Sequence, residues 1–229
     1  MLNFKIVLFS FLFGLISFGQ NTNSINTKLK LSLDSLIEKD SSSRVKIVNL
    51  LNQFSTLDPK DTAFNTSNSR ILDSIQVLST IQEKQDSLNI VFIDSIIRIY
   101  GYPGRTLVGT PTNEYAWYII QHSSKIDNYL KTIKQAGKNG EIPMILVAKM
   151  IDRSKMQHGK KQIYGTQGSS MMNSDGNVSS FIWPTRSPKK VNKKRLKAGF
   201  GTTIEENCQI LLKTEYRIVK MKEVKHLLN

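Results

Sequence analysis

The nine residues Lys160–Gly168, KKQIYGTQG, decide how the second half of the chain is read. The chain before them carries the apolar spacing of helices. This stretch is polar and β-leaning, because Ile163, Tyr164 and Thr166 are residue types that suit a strand, and Gly165 interrupts it. Taken as a strand from Lys161 to Ser169, it alternates Gln162, Tyr164 and Thr166 on one face with Ile163, Gly165 and Gln167 on the other. Gly165 then marks a bulge or a close approach of backbone. Val178 to Pro184 is a second β-leaning run, and Asp175-Gly176 is the turn signal between the two. Pro184 places that run at an edge or ends it. The sequence thus predicts a mainly α fold: a helical domain with one short two-stranded β-ribbon.

Upstream, Leu29, Leu31, Leu33, Leu36 and Ile37 mark one apolar face, and Val45, Ile47, Val48, Leu50, Leu51 and Phe54 continue with helical spacing as one helix or a helical pair. Residues 20–27 read as a disordered leader. The stretch STLDPKDT around Pro59 is a break. Ile71, Ile75, Leu78 and Ile81 form a second helix, with Asn68 or Ser69 as its cap. Asn89–Ile99 forms a third segment, separate from the second or continuous with it, that stops at Gly101 and Pro103. Thr112 or Asn113 caps a helix running to Ser123, a further helix ends near Gly137-Lys138-Asn139-Gly140, and Pro143 suits the first turn of Ile142–Arg153. Beyond the ribbon, Val191–Ala198 is a short helix closed by Gly199. Thr203 and Glu206 form a capping box that opens a last helix towards Leu228.

The first residues have the layout of a secretory signal peptide. A short basic start is followed by 13 uncharged, mostly apolar residues (Ile6–Phe18), a small-x-small pattern at Ser17–Gly19, and a polar run. Thirteen apolar residues are fewer than a bilayer span needs. The expected organisation is 1–19 signal peptide, 20–84 N-terminal helical arm, and 85–229 motif-bearing helical domain with the ribbon. The expected location is exported, periplasmic or extracellular, with no transmembrane segment in the mature protein. The single cysteine, Cys208, rules out an internal disulfide. Its helical neighbours Ile204, Leu211 and Leu212 predict a buried structural thiol rather than a nucleophile.

The formal net charge is +14 and uneven: residues 150–229 hold 16 Lys/Arg against 6 Asp/Glu. It is densest in SPKKVNKKRLKAG (187–199), with six basic residues and no acidic ones. Such a run suits an anionic ligand, or it is a solvated helix face. Export and the lack of aromatic residues between the lysines argue against nucleic acid. His122, His158 and His226 lack zinc spacing, and no phosphate loop, nucleophile elbow or dinucleotide fingerprint occurs. The sequence therefore predicts no metal and no cofactor.

A series of short motifs runs in order: GYP (101–103), LVG (107–109), AW (116–117), QH (121–122), GEI (140–142), DR (152–153), QIYGTQ (162–167) and VNKKRLKAGF (191–200). Over about residues 85–200 this series resembles an uncharacterised bacterial domain-of-unknown-function family (domain of unknown function 6624). LIEKDSSSR (36–44) resembles that family's upstream D-Q-x-x-R helix, with Asp40 and Arg44 kept. The chain departs from the pattern at Tyr102, Ser41, Ser123-Ser124, Asn192 and Lys194. The resemblance implies no particular chemistry. Loss of the acidic residue after His122 leaves Asp127 as the carboxylate to orient it.

The candidate catalytic residue is His122, since an imidazole titrates near neutral pH; on a helix beside Trp117 and Tyr118 it can equally be a packing residue. Gln121 lies about 100° from it around the helix. Arg153 can grip an anion bidentately or tie its helix to the ribbon. Gln162, Tyr164, Thr166, Gln167 and Arg195 complete the ligand-binding candidates. Two readings follow. The first is a cell-envelope binding or structural module for an anionic ligand or protein partner. The alternative is a small hydrolase or transferase with His122 as general base.

Overall fold

The computed structural model describes residues 24–55, 64–172 and 178–228. The signal-like segment, the break around Pro59 and the Asp175-Gly176 turn lie outside them. Among the described residues the chain is mainly helical, and its sheet is one two-stranded antiparallel ribbon, the fold class that the sequence predicts.

Helix α1 (Thr27–Ser55) is a single helix. Asn26 opens it, its side-chain oxygen accepting the Leu29 N–H at 3.0 Å. The Asn26 N–H donates to the Leu107 carbonyl at 2.8 Å, so the end of the expected disordered leader is tied to the domain. The second and third helical patterns are one helix, α2 (Phe64–Tyr100), which passes through residue 84 without a break and takes the expected caps Asn68 and Ser69 into its body. Helices α1 and α2 pack antiparallel, since Arg44 meets Asp86 while Asp40 meets Asn89. Leu29 and Leu33 meet Ile90, Ile93 and Ile96 in the main core.

A short helix, α3 (Arg105–Val108), follows, and the helix expected from Thr112 begins as a 3₁₀ turn before α4 (Tyr115–His122). Thr112 and Asn113 do not cap it. The Thr112 hydroxyl donates to Asp34 at 2.6 Å, and the Asn113 amide to the Glu141 carbonyl at 2.8 Å. Helices α5 (Ile126–Lys138) and α6 (Met144–Gln157) complete the main core with Ile126, Ile133, Leu146 and Met150. The Trp117 indole N–H, donating to the Leu146 carbonyl at 2.9 Å, joins α4 to α6.

The ribbon pairs β1 (Gly168–Met172) with β2 (Val178–Ile182), from Gly168 opposite Ile182 to Met172 opposite Val178. The first strand is therefore not Lys161–Ser169. Residues 162–167 are a loop, tied to the ribbon's end by an isolated bridge from Gln162 to Thr185 and by the Trp183 N–H, which donates to the Gln167 carbonyl at 2.9 Å. The expected two-faced alternation of Gln162, Tyr164 and Thr166 does not exist. Two causes act together: Gly165 sits at φ +69°, and Asp152 draws the N–H groups of Ile163, Tyr164 and Thr166 inward, away from any strand partner.

Helices α7 (Val191–Lys197), α8 (Ile204–Leu212) and α9 (Met221–Val224) cover the ribbon. Ile182 packs with Val191, Ile204 and Cys208, and Phe181 and Trp183 pack with Val219 and Val224. Helix α6 joins the two halves, with its Ala148 against Ala198 and Phe200. The Thr203–Glu206 capping box forms as read. The last helix, however, stops at Leu212, because Lys213 turns left-handed at φ 54°. An unbroken helix would not deliver Tyr216, Val219 and Val224 to the ribbon's two apolar clusters, which they cover here.

Candidate functional site

The candidate residues fold into two separate groups, one between α1, α2 and α4 and one at the end of α6. The first is a polar cluster between α1, α2 and α4. Asp40 lies on the inner face of α1 and is 1% exposed. Arg44, one turn later, donates to both its oxygens, Nε to Oδ2 at 2.9 Å and a terminal nitrogen to Oδ1 at 3.2 Å. Helix α2 supplies Gln82, Asp86 and Asn89, which share one face by their four- and three-residue spacing. Gln82 Nε2 donates to Asp40 at 3.1 Å and to Asp86 at 2.8 Å, and Asn89 Nδ2 donates to Asp40 at 3.2 Å. Arg44 also donates to Asp86.

His122, the last residue of α4, brings Nδ1 to 3.5 Å from Asp40 Oδ2. That is an ion-pair distance with poor alignment, and Nδ1 has no hydrogen-bond partner. Burial alone would raise the Asp40 carboxyl, but His122 and Arg44 together hold it well below the usual carboxylate range. The histidine side chain is 25% exposed and borders two clefts. One, of 450 Å³, is lined by Asp86, Ser87, Ser123 and Lys125, and the other, of 280 Å³, by Asp40, Arg44, Tyr115 and Tyr118. Gln121 reaches round so that its Nε2 lies 3.4 Å from His122 Nε2.

Asp127 is not the partner of His122. Its carboxylate accepts the Ser154 hydroxyl at 2.6 Å and lies 3.3 Å from His158 Nε2. Asp40, eighty-odd positions away in the chain, takes that place. Gln82, Asp86 and Asn89 were missed altogether. Their signal is visible in the sequence, since they interrupt the inner apolar stripe of α2 between Leu78 and Ile93 at helical spacing.

The second group is built on Asp152, which is 0% exposed. Its Oδ1 accepts the Ile163 N–H at 2.7 Å, and its Oδ2 accepts the N–H groups of Tyr164 at 3.0 Å and Thr166 at 3.2 Å, with the Thr166 hydroxyl at 3.2 Å. Burial pushes this carboxyl up, and the three backbone donors and the hydroxyl oppose the shift. Gln162, also fully buried, holds the rest of the loop. Its Oε1 accepts from the N–H groups of Thr166 at 2.9 Å and Gln167 at 3.0 Å, and its Nε2 donates to the carbonyls of Gln167 at 3.0 Å and Trp183 at 2.5 Å.

Arg195, 1% exposed, closes the group from α7. It donates to the Tyr164 carbonyl at 2.9 Å, and to the Thr202 carbonyl at 2.8 Å and hydroxyl at 2.9 Å. Its guanidinium lies 4.4 Å from the centre of the Phe200 ring, which also stacks on Tyr164 at 6.3 Å. Gln162 and Arg195 are thus turned inward, with their polar atoms engaged by the chain itself. The basic run is not a uniform cationic face either: Lys189, Lys190, Lys193 and Lys197 are exposed, whereas Arg195 is inside.

Arg153, next to Asp152, points elsewhere. Its Nε is buried without a partner. Burial pulls the guanidinium below its usual value, and no neighbouring carboxylate offsets this. It lines a 400 Å³ cleft with Gln157, Gln167, Ser169 and Trp183. His122 borders neither this cleft nor the Asp152 group, so the structure does not assemble His122, Arg153 and Tyr164 into one pocket. Among the described residues, no group of three or more His, Cys, Asp or Glu is placed to hold a metal ion. In comparisons with protein-family models, characterised sequences and solved structures, nothing matched the chain.

Proposed function

We propose that the protein is a binding module for an anionic ligand, taken up at Arg153. The observation that carries this reading is a half-buried guanidinium with no acceptor on its Nε and no carboxylate beside it, facing a cleft. An arginine stays charged at any ordinary pH, and a desolvated charge without a partner is costly. A carboxylate or phosphoryl group in the cleft would accept from the guanidinium fork, with the Gln157 and Gln167 amides and the Ser169 hydroxyl as further donors. We propose export to the cell envelope as its setting and kinship with the family that the motif series resembles. The kinship is supported by the way the quoted segments meet: DSSSR with QH in one cluster, and DR, YGTQ and the basic helix in the other.

The test is a titration with inorganic phosphate and with a dicarboxylate, followed by NMR. Binding is expected to weaken with added salt, to vanish in Arg153→Ala, and to survive in His122→Ala. Unchanged binding in Arg153→Ala would refute the reading.

A second reading is favoured by one observation, the ionised Asp40 beside His122. A carboxylate beside an imidazole is the arrangement of a general base: Nδ1, 3.5 Å from Asp40, would turn onto that carboxylate, and Nε2 would take a proton from a substrate that displaces the Gln121 amide now 3.4 Å from it. It requires ester or phosphoester turnover that His122→Ala abolishes and Asp40→Asn reduces. Absence of turnover in the intact protein would remove it.

A further inference from the structure

We infer that the cleft between the end of α2, the α3 turn and α5 is a binding site for an uncharged oligosaccharide. At 760 Å³ it is larger than the clefts beside His122 and Arg153, and within the range of sites for extended small ligands. It is separate from both groups described above, since Arg153 and His122 do not line it.

Three features of its walls define the ligand class. The first is aromatic. Tyr100, the last residue of α2, is 50% exposed at the rim. Tyr102 also lines the cleft, with its hydroxyl engaged by the Asn113 carbonyl at 2.9 Å, so what it contributes there is its ring rather than a donor. A ring face packs against the C–H face of a pyranose, which is flat and apolar on that side.

The second feature is a row of planar polar groups. Lys131, Gln135 and Asn139 follow one another at four-residue spacing along α5. Gln135 Nε2 donates to Asn139 Oδ1 at 2.9 Å, which leaves a carbonyl oxygen on Gln135 and an amide nitrogen on Asn139 for a ligand. Across the cleft, the two oxygens of Glu141 accept the Thr106 N–H at 2.9 Å and the Thr106 hydroxyl at 2.8 Å, and each keeps a free lone pair. The carboxylate is held rigidly, because a Cβ at Gly104 would lie 2.4 Å from that of Glu141, so only glycine there admits it. Neighbouring sugar hydroxyls, each both donor and acceptor, are matched by such amide and carboxylate pairs.

The third feature is charge. Lys131 and Glu141 line the cleft with opposite signs, so its lining carries no net charge, unlike the cleft at Arg153. An anion gains little here, and an apolar ligand would strip water from the amides and carboxylate without replacing it.

Titration of the full chain with neutral tetrasaccharides of glucose, xylose and N-acetylglucosamine, read by saturation-transfer NMR and calorimetry, tests the site. At least one is expected to bind with an affinity that salt leaves unchanged. Tyr100→Ala and Asn139→Ala should each weaken it about tenfold, and Tyr100→Phe should retain it, since the ring is kept. Arg153→Ala should leave it unchanged, which separates this site from the anion site. Failure of all three sugars to bind at millimolar concentration, or binding that persists in Tyr100→Ala, overturns the inference.

Discussion

Replacing Asp152 by asparagine changes one oxygen to an amino group and leaves the shape alone, so its cost can be worked from the hydrogen bonds. If the amino group takes the place of Oδ1, it faces the Ile163 N–H, which sits 2.7 Å from that oxygen. If it takes the place of Oδ2, it faces the N–H groups of Tyr164 and Thr166. The first orientation strands the Ile163 N–H in a site with 0% exposure. In the second, the Tyr164 N–H falls back on Oδ1 at 3.2 Å and the Thr166 N–H on Gln162 Oε1 at 2.9 Å. The amino hydrogens there abut both donors, so the cheaper orientation still costs about 1 kcal/mol. The remaining bonds lose the added strength of an ionised acceptor, and Arg195 loses a nearby negative charge. Relief of the carboxylate's own burial works the other way. The balance is a destabilisation of about 2 kcal/mol. For a chain of this length that lowers Tm by roughly 4–8 °C. Guanidinium denaturation should show the midpoint falling with its slope unchanged. Hydrogen exchange should show faster exchange confined at first to Ile163, Tyr164 and Thr166. A loss below about 1 kcal/mol with unchanged exchange would refute the reasoning. It would mean that Gln162 and Arg195 hold the loop and that Asp152 is available for another task.

Gly165→Ala should destabilise the protein by about 2–4 kcal/mol in the same denaturation assay, from a positive φ together with overpacking. The φ there is +69°, and the added Cβ would lie 2.3 Å from Ile204 Cδ1. A neutral result would show that α8 moves aside freely. Acid should unfold the protein partly through Asp40. Burial alone would raise its carboxyl, but His122 and Arg44 hold it low, so its contribution is complete above the unfolded value of about 4 and is lost as pH falls through the folded one. Asp40→Asn should be less stable at neutral pH and should show a flatter acid limb; an equally steep limb would place the lost stability on other carboxylates. Burial pushes the Cys208 thiol up, and the residue is 1% exposed. A thiol reagent at neutral pH should therefore label it only at the rate of unfolding, and prompt labelling of the native protein would contradict the packing with Ile182 and Ile204.

What the sequence conveyed and what it hid divide along a physical line. Helices α5, α6 and α7 and the Thr203–Glu206 box were legible because apolar period and capping are local properties. The loop 162–167 was not, because its strand propensity is overridden by a carboxylate ten or more residues earlier that takes its N–H groups. Lys213 gave no warning either: a left-handed lysine is chosen by the clusters that Tyr216, Val219 and Val224 cover. The pairing of Asp40 with His122 joins distant segments, so the sequence held both residues but not their contact.

The same distinction bears on function. Around Asp152, the inward-facing donors of the YGTQ loop find acceptors within the chain, and a network that satisfies itself fixes a shape. In this loop the side chain that also lines a cleft is Gln167, beside Arg153. The Arg153 Nε and the His122 Nδ1 are the opposite case, buried nitrogens without hydrogen-bond partners beside open clefts. A folded chain tolerates few such groups, since each costs as much as a lost hydrogen bond. The function proposed above supplies the partner of Arg153 from outside the chain, whereas His122 Nδ1 faces Asp40 Oδ2 at 3.5 Å. Arg153 is the stronger of the two, because its charge cannot be relieved by losing a proton.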